Sequence, residues 1–506
     1  DTEYNYTNII SNSRTFGFKN EVEALKDKGL IAGGSLENAI VLDNEGIMNK
    51  SALRHEDEFV RHKVLDFIGD IYLLGHRVRG SFEIFKGGHR LTHELAKSIM
   101  SEIDHIQAGI FDINGIMRGK RLPPSDYQKI IDKGIQIPLS AQNIDINGED
   151  IANSRFVFET GDKDGTAISQ GAPQVFLNHL PKPVLLMPLS FTLNNGQPFE
   201  GCPRAFLKSV LNKANEKKLI FRFGIELEFC LFSDVDLAPI FSKPQLLSLS
   251  ALDSIDYFLQ DVIRIIDQLD IKIESILSEA GIGQIEIVLA PSSDLCHLAD
   301  AILILRHSLT AFALAKRMSV SFRAKPEKYL SGNGLHCHIS MGDKQSENLF
   351  SKDKAVFNSA IASVVDLLEP AAAILAPLPN SYDRLQENSH APVNIGWGYD
   401  NRTLAVRIPN SPNNAKRLEL RVPGADSNPY FLFAILVSAI LNGLEEMLEP
   451  PSPVLGNGYE ANLKRLPHDL RTAISLFEKS EKIQKLMPPT LREMFIATKK
   501  QEIKIV

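Results

Sequence analysis

The chain has 506 residues, more than one hydrophobic core usually holds, so several domains are expected. Its 44% hydrophobic and 23% charged residues are the proportions of an ordinary globular protein. A net charge of −7 without an extended basic run argues against binding to nucleic acid or to an anionic membrane surface. Four widely spaced cysteines without a CxxC pair indicate a reducing compartment, and we expect a cytoplasmic protein.

The longest apolar run, "YFLFAILVSAIL" at 430–441, is too short to cross a membrane. It follows "SNP", in which Asn428 is suited to cap a helix and Pro429 to occupy its first position. We therefore predict a buried helix here and no membrane span.

Residues 1–103 alternate short apolar runs with glycine pairs and end in a helical stretch. Within them, three acids at 56–58 precede an apolar repeat, the arrangement of a first helical turn. In that helix His62 and Asp66 lie four residues apart, so both side chains leave one face and could hold a metal ion. Two ligands alone make a poor site.

Residues 106–200 show the pattern of short strands and turns, and residues 204–506 alternate helical and strand patterns in a mixed α/β segment. Four strings of this last segment place chemical groups close together: "GIELEF", "SEAGIGQIEI", "GNGLHCHIS" and "KRLELRVPG". In a strand, residues two apart point to one face. The groups so placed are Glu226 with Glu228, His336 with His338, and Glu419 with Arg417 and Arg421, while Glu279 and Glu286 flank a glycine-containing turn.

Each fragment alone has a plainer interpretation, such as the solvated face of an edge strand or a core histidine. Together, oxygen-rich ligands with imidazole favour Mg²⁺ or Mn²⁺ over structural zinc, and several carboxylates suggest two or more ions. A Walker-type GxxxxGK[ST] loop is missing, so phosphate charge would be met by metal ions and arginines. The arginines that cluster in the last third are Arg384, Arg402, Arg407, Arg417 and Arg421. The pattern predicts metal-dependent phosphoryl transfer.

These strings, with "NSYDRL", "DNRTLAVRIP" and "RLELRVPGADSNPY", resemble the glutamine synthetase family over roughly residues 106–500. The resemblance implies an α+β fold with a β-grasp domain at 104–200 and an α/β half-barrel catalytic domain at 201–506. It implies the following site. One metal ion is held by Glu228, Glu279 and Glu286, and the other by Glu226, His336 and Glu419. Glutamate is bound by Arg384, Arg421 and Gly332, the transferred phosphoryl group is stabilised by Arg402, and ATP is surrounded by His338, Ser340, Arg407 and Arg417. Asp164 corresponds to the aspartate that closes a neighbouring subunit's site.

The implied reaction has two steps: ATP phosphorylates the γ-carboxylate of glutamate, and an amine then displaces the phosphate. Members of the family that use ammonia have a segment like "PGYEAP" after the arginine that corresponds to Arg384. This chain has "ENSHAP" there, with His390 at the position of the glutamate. Strings such as "FDINGIMRGKRL" and "HAPVNIGWGYDNRT" resemble the γ-glutamylpolyamine synthetase branch, which usually has an aromatic residue where His390 stands. We therefore predict a glutamate–amine ligase acting on a polyamine or alkylamine, with a glutamine synthetase as the alternative.

Residues 1–103 resemble another family, through "RTFGF", "GLIAGGSLENAIVLD", "LRHEDEFVRHKVLDFIGDIYLLGH" and "FKGGHRLTHELAKSIM". It is the zinc-dependent UDP-3-O-acyl-N-acetylglucosamine deacetylase of lipid A synthesis, of which this is the C-terminal part. His62 and Asp66 correspond to two of three zinc ligands, His89 to a histidine assisting the tetrahedral intermediate, and Thr15 to a residue polarising the amide carbonyl. The third ligand and the general base are missing, so Zn²⁺ binding is doubtful and we expect an inactive segment.

The family resemblance also implies a homo-oligomer, a dodecamer of stacked hexamers with sites between subunits. Two further interpretations stay open: a non-catalytic homologue, and a deacetylase completed by a separate N-terminal half.

Overall fold

The computed structural model of the chain describes residues 5–29, 31, 33–74, 78, 81–152, 154–193, 196–343 and 347–504. The chain forms two compact units, Asp1–Ile103 and Asp104–Val506. Its mixture of sheets and helices confirms the predicted α+β class. The division into three domains stays a prediction.

The first unit contains a small sheet and three α-helices among its described residues. The strands are β1 (Thr15–Phe18), β2 (Ala39–Asp43) and β3 (Gly46–Ile47), and the helices are α1 (Lys19–Asp27), α2 (Glu58–Tyr72) and α3 (His89–Ser101), with a π-helical turn at Tyr6–Ile10. Strand β2 lies in the middle, parallel to β1 and antiparallel to β3. Glu58 opens α2 and is fully buried, where its carboxylate accepts from the backbone and guanidinium of Arg14 at 3.0 and 2.9 Å.

The second unit begins with a six-stranded sheet. Its strands are β4 (His105–Phe111), β5 (Met117–Leu122), β6 (Ile135–Pro138), β7 (Asp164–Ile168), β8 (Val175–Leu177) and β9 (Val184–Thr192), with helix α4 (Tyr127–Lys133) beside them. The order is β5-β4-β9-β7-β6, and β8 pairs with β9. Every residue of β9 is buried, as expected of a central strand.

An eight-stranded sheet follows and carries the chemistry-bearing strings. Its strands are β10 (Ile220–Ser233), β11 (Ile273–Ser278), β12 (Gln284–Ser292), β13 (Met318–Ser321), β14 (Leu335–Gly342), β15 (Trp397–Tyr399), β16 (Val406–Ile408) and β17 (Leu418–Leu420). The order is β11-β12-β10-β14-β17-β16-β15, with β13 paired to β10. The 14-residue β10 therefore lies at the centre, antiparallel to β12 and β14.

The second unit also contains the following helices among its described residues. They are α5 (Pro203–Glu216), α6 (Leu249–Ser254), α7 (Asp256–Gln268), α8 (Leu295–Ala315), α9 (Leu349–Lys352), α10 (Lys354–Leu367), α11 (Ala372–Leu375), α12 (Pro429–Glu446), α13 (Leu470–Lys479), α14 (Glu481–Leu486) and α15 (Pro489–Glu502), with 3₁₀ turns at Pro124–Asp126, Leu139–Gln142, Pro379–Asp383 and Asn413–Ala415. Two of them, α8 and α12, are long and apolar enough to cross a membrane by length and composition, but both are mostly buried in the fold. The predicted cap of α12 is confirmed, because Asn428 accepts from the Tyr430 backbone N–H at 3.0 Å.

Candidate active site

The register of the eight-stranded sheet places the predicted carboxylates and imidazoles in one row on one face. Across β10 and β14, Glu226 lies opposite His336, and across β10 and β12, Glu228 lies opposite Glu286. Across β14 and β17, His338 lies opposite Glu419. Directly opposed residues share a face, so four strands deliver their ligand-type groups to the same surface of the sheet.

Within the part of the chain that the structure describes, two groups of three side chains have ligand atoms within 4.8 Å of one another. One group is Glu226, Glu286 and His336, and the other is Glu226, His338 and Glu419. Glu226 belongs to both groups and joins them into one centre. Glu228 and Glu279 are in neither group in this geometry, and His338, which the resemblance places near ATP, stands among the carboxylates.

Glu226 is held by two imidazoles. His336 Nδ1 and His338 Nε2 each lie 2.8 Å from one of its carboxylate oxygens. Burial alone would raise the pKa of Glu226, but these two hydrogen bonds and the imidazole charges lower it well below its usual range. Glu226 is therefore ionised and ready to act as a ligand.

Glu286 is in the opposite electrostatic situation. It is 6% exposed, and the pKa of its carboxyl rises to about 9 because burial and the charges of Glu226, Glu228 and Glu279 all oppose ionisation. The pKa of Glu279 is raised for the same kind of reason, burial first. Crowded carboxyls that resist ionisation need a nearby positive charge, which a divalent cation would supply.

Glu419 is fully buried between two arginines. Arg407 Nη1 donates to one carboxylate oxygen at 2.8 Å, and Arg421 Nη1 donates to the other. Burial raises its pKa, but the cation of Arg421 and the two imidazoles outweigh that effect and lower it. Arg417 adds a further cation, because its Nε lies 3.2 Å from His338 Nδ1.

Arg384 reaches the same centre from the turn after Pro379–Asp383. Its guanidinium is buried, donates to the Val422 carbonyl at 2.8 Å, and lies 3.3 Å from His336 Nε2. Gly332 makes room for this side chain, since a Cβ there would lie 2.5 Å from Arg384 Cγ and 2.8 Å from the Ala324 carbonyl. Glycine at 332 thus permits the path that Arg384 takes.

Gln284 is a site residue that the sequence analysis missed. Its Nε2 donates to Glu228 Oε2 at 3.1 Å and to the Gly332 carbonyl at 2.9 Å, and it lies 3.1 Å from Asn333 Oδ1. The backbone N–H of Gly334 also donates to Glu228 at 2.6 Å. The signal available was a polar residue two positions before Glu286 in "GIGQIEI", which places both side chains on the same face of a strand.

The remaining predicted residues lie around the centre or away from it. Ser340 is half-buried on β14, two residues beyond His338. Arg402 is exposed in the loop before β16, and its charge acts on Glu286. His390 is exposed with a left-handed backbone, φ 61°. Asp164 is exposed at the start of β7 and belongs to neither ligand group. The functions assigned to all these residues stay predictions.

In the first unit, His62 and Asp66 do share one face of α2, with His62 Nε2 3.3 Å from Asp66 Oδ1. The residues described there supply no third side chain that meets the metal-ligand criterion with them. His89 Nδ1 lies 2.8 Å from Asp70 Oδ2, and Thr15 is exposed at the start of β1. The strength of zinc binding at this pair stays a prediction.

The donor set of the second unit fits divalent metal ions. Carboxylate oxygens with imidazole nitrogens suit Mg²⁺ or Mn²⁺, and burial together with neighbouring carboxylates raises the pKa values of Glu279 and Glu286, an effect that a bound cation would oppose. Glu226, Glu286, His336, His338 and Glu419 are the side chains that would hold such ions.

Comparisons with known proteins identify two families. Residues 200–506 match the family model "Glutamine synthetase, catalytic domain", and residues 1–101 match "UDP-3-O-acyl N-acetylglycosamine deacetylase". The γ-glutamylputrescine synthetase PuuA of Escherichia coli (strain K12) is 29% identical over 436 residues, which cover 82% of this chain and 92% of that protein. The glutamate–isopropylamine ligase of a Pseudomonas species is 28% identical over 435 residues, covering 79% and 92%.

A glutamine synthetase of Pyrococcus abyssi (strain GE5 / Orsay) is 28% identical over 413 residues, covering 78% of this chain and 89% of that protein. Among solved structures, GmaS without ligand matches with a TM-score of 0.69 and 25% identity, over 80% of this chain and 94% of that one. The metal-ligand row, the arginines around it and the match over residues 200–506 lead to one conclusion: the chain belongs to the glutamine synthetase family.

Proposed function

We propose that the second unit is an ATP-dependent ligase that joins the γ-carboxylate of glutamate to an amine, through γ-glutamyl phosphate. The observation that carries this proposal is the row of carboxylates and imidazoles centred on Glu226, bordered by buried arginines. Metal ions held by this row, together with the arginines, would supply positive charge where the phosphate and carboxylate groups of two substrates must meet.

In the first step, an oxygen of the γ-carboxylate attacks the γ-phosphorus of ATP and ADP leaves. In this proposal Arg384 and Arg421 bind the carboxylates of glutamate, which is supported by the burial of both guanidinium groups beside His336 and Glu419. In this proposal Arg402 meets the transferring phosphoryl group, and ATP is bordered by Arg407, Arg417, His338 and Ser340; the influence of the Arg402 charge on Glu286 supports its place near the centre. Bound Mg²⁺ or Mn²⁺ would neutralise phosphate charge and align the transfer.

In the second step, the amine nitrogen attacks the acyl carbon, phosphate leaves, and the nitrogen gives up a proton. His390 lies in the segment after Arg384 and is exposed, so it can meet an entering amine. An imidazole accepts a proton near neutral pH, whereas it offers no permanent negative charge to hold ammonium. Relatives named for putrescine and isopropylamine support an organic amine as substrate.

The test is ADP release with glutamate and each of ammonium, putrescine, ethylamine and isopropylamine. We expect an organic amine to give the highest kcat/KM, and Glu226→Gln to abolish turnover. Glu216→Gln is the matched control, because Glu216 is an exposed carboxylate at the end of α5. Ammonium as the best substrate would instead favour a glutamine synthetase, the activity for which the Pyrococcus relative is named. No turnover with any amine would indicate a non-catalytic homologue.

We further propose that the first unit contributes no deacetylase activity, because no third ligand-type side chain among its described residues groups with His62 and Asp66. A cytoplasmic location and a homo-oligomer, with Asp164 reaching a neighbouring subunit's site, complete the proposal. Sedimentation of the full chain would measure the oligomer, and loss of turnover in Asp164→Asn with the oligomer intact would support the shared site.

A further inference from the structure

A cavity of about 710 Å³ lies in the second unit, between β4 and β5 on one side and helices α8, α12 and α15 on the other. Its size is that of sites for small organic ligands. Most of its wall is apolar and includes Leu303, Phe322 and Phe431. None of the side chains assigned above to metal, glutamate or ATP lines it, so it is separate from the candidate active site.

The charges in the cavity wall are unbalanced. Arg121, Arg306 and Arg323 line it, and their guanidinium groups have no ion pair among the described residues. Lys499 also lines it, but Glu502 neutralises that cation at 2.7 Å. Asp426 is the one carboxylate of the wall. The wall therefore has an excess of positive charge next to apolar surface.

Arg306 is the least exposed of these three arginines, and its guanidinium is incompletely satisfied. Its Nη2 donates to the Ser427 carbonyl at 2.9 Å, its Nε is buried without a partner, and no described residue accepts from Nη1. Burial lowers the pKa of Arg306 to about 10, although the charge of Asp426 opposes this effect. A desolvated guanidinium with unused donors gains from an anion that reaches it.

Hydrogen bonds connect the cavity wall to the candidate active site. Asn333 Nδ2 donates to the Arg323 carbonyl at 3.0 Å, and Asn333 Oδ1 accepts from Gln284, which donates to Glu228. On the other side, Asp426 accepts from the Ser381 hydroxyl at 2.6 Å, in the 3₁₀ turn that precedes Arg384. A ligand that shifts Arg323 or Asp426 would thus act on groups that hydrogen-bond Glu228, beside the metal-ligand groups, and on the turn that precedes Arg384.

We propose that this cavity binds a small amphipathic carboxylate, whose anionic end pairs with Arg306 and whose apolar body packs against Leu303, Phe322 and Phe431, and that binding regulates turnover. The regulation rests on the proposed ligase function, whereas the binding does not. The lining favours one ligand class, since an uncharged apolar molecule would leave Arg306 unpaired and an organic cation would meet the excess positive charge.

Calorimetric titration of the full chain with octanoate, octanamide and octylammonium tests the binding. We expect octanoate to bind one site per chain, roughly tenfold or more tighter than octanamide, the usual effect of one charge-assisted hydrogen bond. Arg306→Gln should remove that preference and Arg306→Lys should keep part of it. Ala311→Phe, which fills the cavity without changing a charge, should abolish binding of all three probes.

Arg264→Gln is the matched control, because Arg264 is exposed on α7 and pairs with Asp261 at 2.7 Å. The thermal midpoint of each variant verifies that it folds. Octanamide binding as tightly as octanoate, or unchanged octanoate binding in both Arg306→Gln and Ala311→Phe, would overturn the proposed site. Octanoate that binds at this site but leaves ADP release unchanged would overturn the regulation alone. Octanoate binding to a chain without any ligase turnover would refute the proposed function and leave the site standing.

Discussion

Replacing Glu286 by glutamine should stabilise the metal-free protein. The carboxyl has a pKa of about 9 in the fold and an ordinary value of 4.5, so between these values the folded state holds a proton that the unfolded state releases. The free energy of unfolding of the metal-free wild type therefore falls as pH rises through this window. A pH of about 7 lies roughly 2.5 units above the ordinary pKa, so the folded state has lost about 3 kcal/mol of stability relative to low pH, at 1.36 kcal/mol per unit. Glutamine does not titrate, so Glu286→Gln does not lose this stability as pH rises.

The assay is urea unfolding in EDTA at fixed protein concentration, from about pH 5 to about pH 9, for wild type and Glu286→Gln. We expect the variant to gain up to about 3 kcal/mol near pH 7, with a gap that widens as pH rises. Saturating Mn²⁺ should reverse the order, because the variant has lost a ligand. Glu274→Gln, at an exposed carboxylate on β11, should change stability by less than about 0.5 kcal/mol. A variant no more stable than wild type in EDTA, with a gap independent of pH, would refute the crowding of negative charge at Glu286.

Three further predictions concern single positions. Gly332→Ala should raise the KM for glutamate at least tenfold, because the new Cβ displaces Arg384. The control Gly224→Ala, whose Cβ would meet nothing closer than 3.4 Å, should leave this KM within about twofold of the wild-type value. Similar KM values for the two variants in steady-state ADP release would contradict the prediction. His390→Glu should raise kcat/KM for ammonium relative to kcat/KM for putrescine, because it adds a negative charge where the amine is proposed to enter. If His390→Glu and His390→Asn both leave the ratio of these two kcat/KM values unchanged, His390 has no part in amine selection. Elemental analysis should find the same zinc content in wild type and His62→Ala; loss of one zinc per chain in the variant would restore a metal site to the first unit.

The strands and the capped helix could be predicted because their signals are local. Alternation in "GIELEF" and "GNGLHCHIS" places Glu226 and His336 on strand faces, and Asn428 before Pro429 marks a helix start. Which imidazole meets which carboxylate is set by the register of β10 against β14, and a single sequence does not contain that information.

Long-range contacts explain what the sequence analysis missed. Gln284 could not be assigned because its partners lie 56 and 49 residues away along the chain. Glu58 fits an exposed acid of a first helical turn, yet it is buried by Arg14, 44 residues earlier. The cavity at Arg306 likewise gathers segments from residues 107 to 499, so no local motif announces it.

The most direct test of the ligase follows the γ-carboxylate oxygens of glutamate. Glutamate labelled there with heavy oxygen is turned over with ATP and the preferred amine, and the released phosphate is analysed by mass spectrometry. We predict that each phosphate carries one labelled oxygen, because the γ-carboxylate attacks phosphorus and its oxygen leaves with the phosphate. Unlabelled phosphate would mean that water attacks ATP instead, and it would contradict γ-glutamyl phosphate as the intermediate.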